Sequence, residues 1–241
     1  MTFGRRADEY DRLRPGPHPE ALDRVLPVDA RTVVDLAAGT GLVTRAILAR
    51  PAPPAVVIAV EPDARMLARL TGAVRVRGAA EHLPLGTGSV DAVVASSAWH
   101  WFDADAATAE IARVLRPGGT LGLLWSRADP SVDWVATVRG IGNMTADGSA
   151  RLSRRGFAFS LPDGYGFVDD TPEAVHVRWT RPMTRDEIAG MVCTYSGVLE
   201  LDEAAQQEVF RAARARLDDL VAGPDPVDVP FETVARAWTH R

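Results

Sequence analysis

One stretch constrains the fold of this chain more than any other: Val33-Val34-Asp35-Leu36-Ala37-Ala38-Gly39-Thr40-Gly41-Leu42. An apolar run ends in a carboxylate and passes into a Gly-Thr-Gly turn. Leu42, Val43, Ala46 and Ile47 then recur at roughly helical spacing. Strand, tight loop and helix in that order form the first half of a βαβ nucleotide-binding unit. Glycines let a backbone approach a ligand closely, and the start of a helix adds N–H groups with no partner in the helix. A Gly-x-Gly alone is a common turn, and its meaning depends on the segments after it.

Those segments repeat the pattern. Pro51-Ala52-Pro53-Pro54 ends the helix, and residues 55–60 are a continuous apolar run, as expected of a strand buried on both faces. That run ends at Glu61-Pro62-Asp63. Glu61 stands twenty residues after Gly41, where such folds place an acid on a ribose. A short helix over 64–70 leads to a third strand at 74–78, and residues 89–97 read as a fourth. The cluster Trp99-His100-Trp101-Phe102 comes directly after it, on the side where open α/β sheets bind ligands. Ala107, Ile111, Val114 and Leu115 give the next helix its buried stripe, and Arg116-Pro117-Gly118-Gly119 turns it into a fifth strand at 120–125.

Composition removes several chemistries. The chain has 241 residues, 46% of them hydrophobic, enough for a real core. Its net charge of −5 gives no overall pull toward nucleic acid. All 27 basic residues are arginine, so a Schiff-base lysine, a P-loop lysine and a Tyr-x-x-x-Lys dehydrogenase pair are excluded. The single Cys193 excludes an internal disulfide framework and a thiolate metal cluster. His18, His82, His176 and His240 are scattered singly and read as surface or capping residues, so no metal site is expected. No apolar run approaches the roughly 20 residues of a membrane span, and no signal segment stands at the N-terminus, so a cytoplasmic protein is expected.

The flanks are less specific. Phe3, Ala7, Tyr10 and Leu13 fit one helical face until Arg14-Pro15-Gly16-Pro17 stops it, and a second short helix is expected over 19–26. Val132, Val135, Val138 and Ile141 share a side, with Trp134 adjacent. Residues 142–172 are rich in Gly, Ser, Asp and Arg and read as a long loop or cap. Val175, Val177 and Trp179 alternate with polar residues as a half-exposed strand. One helix over 184–198 comes next, then another carrying Val209, Phe210, Ala213, Leu217 and Leu220, then a final β-rich run at 231–238.

Taken together, residues 3–125 resemble the class I S-adenosylmethionine-dependent methyltransferases, in their small-molecule branch. Asp35 to Gly41 resembles that family's glycine loop, with Ala37 where its first glycine usually stands. Leu115-Arg116-Pro117-Gly118-Gly119 resembles its turn before the fifth strand, and Tyr10-Asp11-Arg12-Leu13-Arg14-Pro15 a segment that closes over the cofactor. The resemblance implies S-adenosylmethionine bound by Tyr10, Arg14, Asp35, Ala37, Gly39, Gly41, Glu61, Pro62, Ala80, Glu81 and Ser96. In it Glu61 holds the ribose hydroxyls, and Ala80-Glu81 lies beside the adenine. It implies an α/β, Rossmann-like, seven-stranded and mostly parallel sheet with helices on both faces and the last strand antiparallel. The expected organisation is a single domain over 1–241: lid helices at 1–30, a cofactor-binding core at 31–127, a cap at 128–172 and C-terminal strands and helices at 173–241.

Methyl transfer to a small molecule is the expected activity, with O-methylation of a hydroxyl or carboxylate favoured and nitrogen or carbon acceptors open. His100 is the candidate general base for a hydroxyl acceptor. Trp99, Trp101, Trp125 and Arg127 are the expected acceptor-binding residues, with Arg127 or Arg155 as the cation that positions a carboxylate. A dehydrogenase fits poorly, because its third glycine would be Thr44 and its Tyr–Lys pair is absent. A non-methylating cyclase or regulator that binds the same cofactor is the alternative on this scaffold.

Overall fold

The computed structural model describes residues 7–142 and 159–241. In chain order the elements begin with α1 (Ala7–Leu13), α2 (Pro19–Val25), β1 (Thr32–Leu36), α3 (Leu42–Leu48), β2 (Val56–Val60), α4 (Ala64–Leu67) and β3 (Val74–Val76). Next come β4 (Val90–Ser96), a 3-10 helix at Trp99–Trp101, α5 (Ala104–Val114), β5 (Leu115–Ala128) and α6 (Asp133–Gly142). The chain continues with β6 (Phe167–Asp169), β7 (Val175–Met183), α7 (Arg185–Cys193), α8 (Ser196–Leu199), α9 (Glu203–Leu220) and β8 (Val227–His240). The described residues group into two compact units. A parallel unit takes residues 16–126, 159–177 and 233–241; a helical unit takes residues 7–15, 127–142 and 178–232.

In the parallel unit the apolar runs become strands because each is buried on both faces. β1 pairs in parallel with β2 through Val34↔Ile58 and with β4 through Val34↔Val93. Alternation then sorts the side chains. Val33, Ala92 and Val94 pack with Leu22 and Val25 of α2 and Ile47 of α3. Val34, Val93 and Ala95 pack with Ile111 and Val114 of α5. Helices therefore cover both faces of the sheet. Gly122 lets α2 close onto β5, since a Cβ there would lie 2.9 Å from the Val25 carbonyl oxygen.

The turn before the fifth strand is a bulge inside it. Leu115 pairs with Val90, the register resumes at Ala92↔Thr120, and residues 116–119 loop out with Gly118 at φ 77°. Arg116 reaches Asp91 at 2.7 Å, and Asp91 Oδ2 accepts the N–H groups of Arg31 and Thr32 at 2.7 Å each. One carboxylate thus ties this turn to the start of β1.

The strand order is β3-β2-β1-β4-β5-β8-β6, with β7 pairing to β8, which makes eight strands rather than the expected seven. The additional strand is β6, inside the segment read from sequence as loop. It has three residues, too few to show alternation, and forms because β8 offers it an antiparallel edge through Phe167↔His240 and Asp169↔Trp238. Arg236 of β8 fastens that edge, pairing with Asp169 and donating to the carbonyls of Thr171 and Phe159. Within the predicted loop, residues 143–158, with Arg154 and Arg155, lie outside the described residues, as does Phe3.

The helical unit has its own core, in which Leu13, Val135, Val138, Met183, Ile188, Val192, Leu217 and Phe231 are buried together. Thr184 and Glu187 close a reciprocal capping box at the start of α7. The single helix expected over 184–198 is two. Thr194 turns its hydroxyl back to the Met191 carbonyl at 2.6 Å, Tyr195 is extended at φ −70° and ψ 140°, and α8 starts afresh.

Candidate functional site

The loop after β1 is wound tightly enough to need left-handed backbone three times. Ala37, Gly39 and Gly41 have φ of 56°, 58° and 92°. Glycine adopts such values without strain, whereas alanine at position 37 costs about 1 kcal/mol. Two hydrogen bonds hold the loop, from Ala38 N–H to the Val60 carbonyl at 3.0 Å and from Gly41 N–H to the Ala38 carbonyl at 2.9 Å. Gly41 then caps α3 and faces Leu70, whose Cγ would lie 3.0 Å from an added Cβ. Gly39 is different: a Cβ there would meet no atom within 4 Å, so this side of the loop opens onto space.

Glu61 at the end of β2 reaches into this loop. Its Oε2 accepts the Gly39 N–H at 2.9 Å and its Oε1 the Asp63 N–H at 2.9 Å, so one side chain fixes both turns. Glu61 is buried, which pushes its carboxyl above the ordinary range; the two N–H donors oppose that shift. Asp35 is buried more deeply. Its Oδ2 accepts the Thr44 hydroxyl at 2.5 Å, and burial pushes its carboxyl up to about 7. Asp35 Oδ1 and Thr40 Oγ1 are both buried without a partner among the described residues. Buried polar atoms of that kind are rare unless something bound completes them.

The remaining expected cofactor residues in this unit lie at the carboxyl ends of the parallel strands. The Pro62 carbonyl accepts from Arg77 at 3.3 Å, and Ala80 is buried in the apolar layer under α5. Glu81 accepts the Asp103 N–H at 3.0 Å, which ties it to the start of α5. Ser96 ends β4 opposite Leu124, and Ser97 turns the chain at φ 55°. Immediately beyond, the His100 ring centre lies 4.6 Å from that of Trp101 and 4.8 Å from that of Trp125, which brings three of the residues expected near the acceptor into one aromatic group. Trp99 packs edge-on to Phe102 at 5.7 Å.

Other expected residues belong to the helical unit. Arg14 lies over the rings of Tyr10 and Tyr195 at 5.3 and 4.9 Å, and donates to the Thr194 carbonyl at 3.3 Å. Arg127 gives Nε and Nη2 to Glu232 at 3.2 and 2.9 Å, so its guanidinium is engaged inside the protein. Thr44, Asp63 and Tyr195 carry no signal in sequence, since each acts through a neighbour remote in sequence or through a backbone N–H. Among the described residues no group of three or more His, Cys, Asp and Glu side chains could hold a metal ion. No helix of the described residues is long and apolar enough to cross a membrane.

The residues at the loop fit S-adenosylmethionine. Gly39 leaves room beside the backbone, Glu61 is fixed at the adjoining strand end, and Asp35 and Thr40 offer polar atoms still to be satisfied.

Comparison with known proteins agrees. A family model described as a methyltransferase domain matches residues 34–123. An uncharacterized methyltransferase of Mycobacterium tuberculosis is 39% identical over 241 aligned residues, covering 97% of this chain and 93% of the relative. An uncharacterized methyltransferase-like protein of Schizosaccharomyces pombe is 29% identical with the same coverage. Among solved structures, a putative type II methyltransferase from Anaeromyxobacter dehalogenans shares the fold with a TM-score of 0.65 and 22% identity, covering 95% of this chain and 97% of that one. A glycine loop held by the strand-end Glu61, on a sheet of this order, is thus found in a chain that aligns over nearly its whole length with a relative named as a methyltransferase, and the chain belongs to the class I S-adenosylmethionine-dependent methyltransferase family.

Proposed function

We propose that this enzyme methylates a small molecule, at a hydroxyl or carboxylate oxygen, with S-adenosylmethionine bound at the loop after β1. The observation that carries the reading is that the loop open at Gly39 and the aromatic group around His100 follow the adjacent parallel strands β1 and β4 of one sheet. The cofactor supplies a sulfonium methyl carbon already activated for in-line displacement. The protein's own part is alignment and dryness. Glu61 and the loop fix one partner, and Trp101 and Trp125 flank His100 with apolar surface. His100 is within a few residues of the strand end, where an imidazole can take the proton of a hydroxyl acceptor; a carboxylate acceptor needs none.

Incubating the protein with methyl-labelled cofactor and a total cell extract, then separating small molecules from protein and nucleic acid, tests this. Label in the small-molecule fraction, released by alkali as from an ester or stable as in an ether, is the expected result. Label confined to macromolecules would overturn the small-molecule reading. A protein that binds the cofactor but transfers no label would be the cyclase or regulator.

A further inference from the structure

Asp35 near the end of β1 and Thr40 in the loop after it are 1% and 2% exposed. Each keeps one buried oxygen without a partner among the described residues, Asp35 Oδ1 and Thr40 Oγ1. The other side of the Asp35 carboxyl is held. Thr44, wholly buried on α3, donates its hydroxyl to Asp35 Oδ2 at 2.5 Å and its backbone N–H to the same carboxyl group. Next to Thr40 the loop is open, since a Cβ at Gly39 would meet no atom within 4 Å. A buried acid with one oxygen held and the other unmet costs free energy until a donor reaches it.

The surroundings of Asp35 favour its neutral form. Ala59 of β2 and Val94 of β4 stand beside it in the sheet. Asp35 shares the face of Val33, to which α2 presents Ala21, Leu22 and Val25. Burial holds its carboxyl at about 7; the two Thr44 donors pull it down, and the charge of Glu61 at the end of β2 pushes it up. Arg45 of α3 gives its guanidinium to the Thr40 carbonyl at 3.0 Å.

S-adenosylmethionine carries few groups that suit such an oxygen. The family resemblance gives its ribose hydroxyls to Glu61 and its adenine to Ala80-Glu81, and its carboxylate is repelled by another. Its α-ammonium has three N–H donors and a positive charge, which a carboxylate oxygen and a hydroxyl together satisfy. An opposite charge within a few ångströms favours the ionised carboxyl. We propose that Asp35 accepts the cofactor's α-ammonium and gives up its own proton to solvent as the cofactor binds, with Thr44 as the residue that positions it. No other bond is made or broken. This rests on the reading that S-adenosylmethionine binds at the loop after β1, and adds a proton to that equilibrium.

Calorimetry on the intact protein tests this with S-adenosylhomocysteine, which keeps the α-ammonium, and with methylthioadenosine, which keeps the adenosine and lacks the amino acid. Titration in two buffers of different ionisation enthalpy gives the number of protons released. S-adenosylhomocysteine should release close to one proton per chain at about pH 6 and few at about pH 8, and should bind about tenfold weaker at the lower pH. Methylthioadenosine should release none. Asp35→Asn should bind S-adenosylhomocysteine without that release and with an affinity that does not change over this range. Thr44→Val loses a donor that favours the charged carboxyl. It should move the midpoint of the affinity–pH curve up by about half a unit or more, and Thr44→Ser should hold it within about 0.2 unit of the parent. The proposal is overturned if the parent binds S-adenosylhomocysteine with no proton released at about pH 6, if Asp35→Asn releases as many as the parent, or if Thr44→Val keeps the parent's midpoint. Equal release with methylthioadenosine would also overturn it, by assigning the proton to the ribose end, where Glu61 stands. A parent unable to bind S-adenosylhomocysteine at either pH would instead overturn the cofactor reading beneath it.

Discussion

Glu61 and Gly39 are joined by one 2.9 Å hydrogen bond, a carboxylate oxygen at the end of β2 accepting the backbone N–H at the centre of the loop after β1. The bond makes the shape of the loop depend on an acid that is also expected to face the cofactor's ribose. Glu61→Ala should therefore weaken S-adenosylmethionine binding by about 1.5–3 kcal/mol, the size of a lost charge-assisted hydrogen bond. Titration calorimetry measures it, and an unchanged affinity would remove Glu61 from the site.

Asp35 gives stability a pH dependence of known sign. Burial holds its carboxyl at about 7 in the folded chain, against about 3.9 when unfolded. Between those values the folded state keeps the proton and the unfolded state releases it, so this group's stabilising contribution is complete below about pH 4 and is lost as pH rises to about 7. Asp35→Asn does not titrate. Its denaturant midpoint should gain on the parent's from pH 4 to pH 8, and a constant difference across that range would contradict the assignment.

His100→Ala separates two acceptor chemistries. With a hydroxyl acceptor kcat should fall by roughly 10²–10⁴, whereas a carboxylate acceptor should lose only a few-fold through looser positioning. Cofactor affinity should hardly change in either case. If the variant loses cofactor instead, His100 does not belong to the acceptor side.

Arg185 is a structural counterpart to these sites. It is buried at the start of α7, pairs with Asp225 at 2.6 Å, and donates to the carbonyls of Val221 and Gly223 at 2.6 and 2.8 Å. Arg185→Met strands all three acceptors and should lower unfolding free energy by about 2–4 kcal/mol in urea. A loss under about 0.5 kcal/mol would show that the cluster is held by packing alone.

The parallel half of the fold is legible in sequence because strands buried on both faces must be apolar throughout, and residues 33–36, 55–60, 89–97 and 120–125 are largely so. Glu61 and the glycines are legible for a related reason, since backbone geometry and strand ends fix their spacing. β6 is not: a three-residue edge strand is specified by the partner β8 rather than by its own residues. The break at Tyr195 is hidden as well, since apolar spacing runs on through 184–198 while a threonine hydroxyl ends α7. Arg127 looks from sequence like a spare cation beside a strand end, and its partner Glu232 lies more than a hundred residues away. Arg139 is the converse case, unremarkable in sequence and half-buried in the fold, where it donates to the Ala128 carbonyl.

Gly39→Arg decides whether the cofactor sits at the loop after β1, because a side chain there enters the open side of the loop rather than the core. S-adenosylhomocysteine titrated into the parent should bind at one site per chain. The variant should stay folded, losing about 1 kcal/mol to its left-handed backbone, and give no binding heat. If the folded variant binds as tightly as the parent, the cofactor does not sit at this loop.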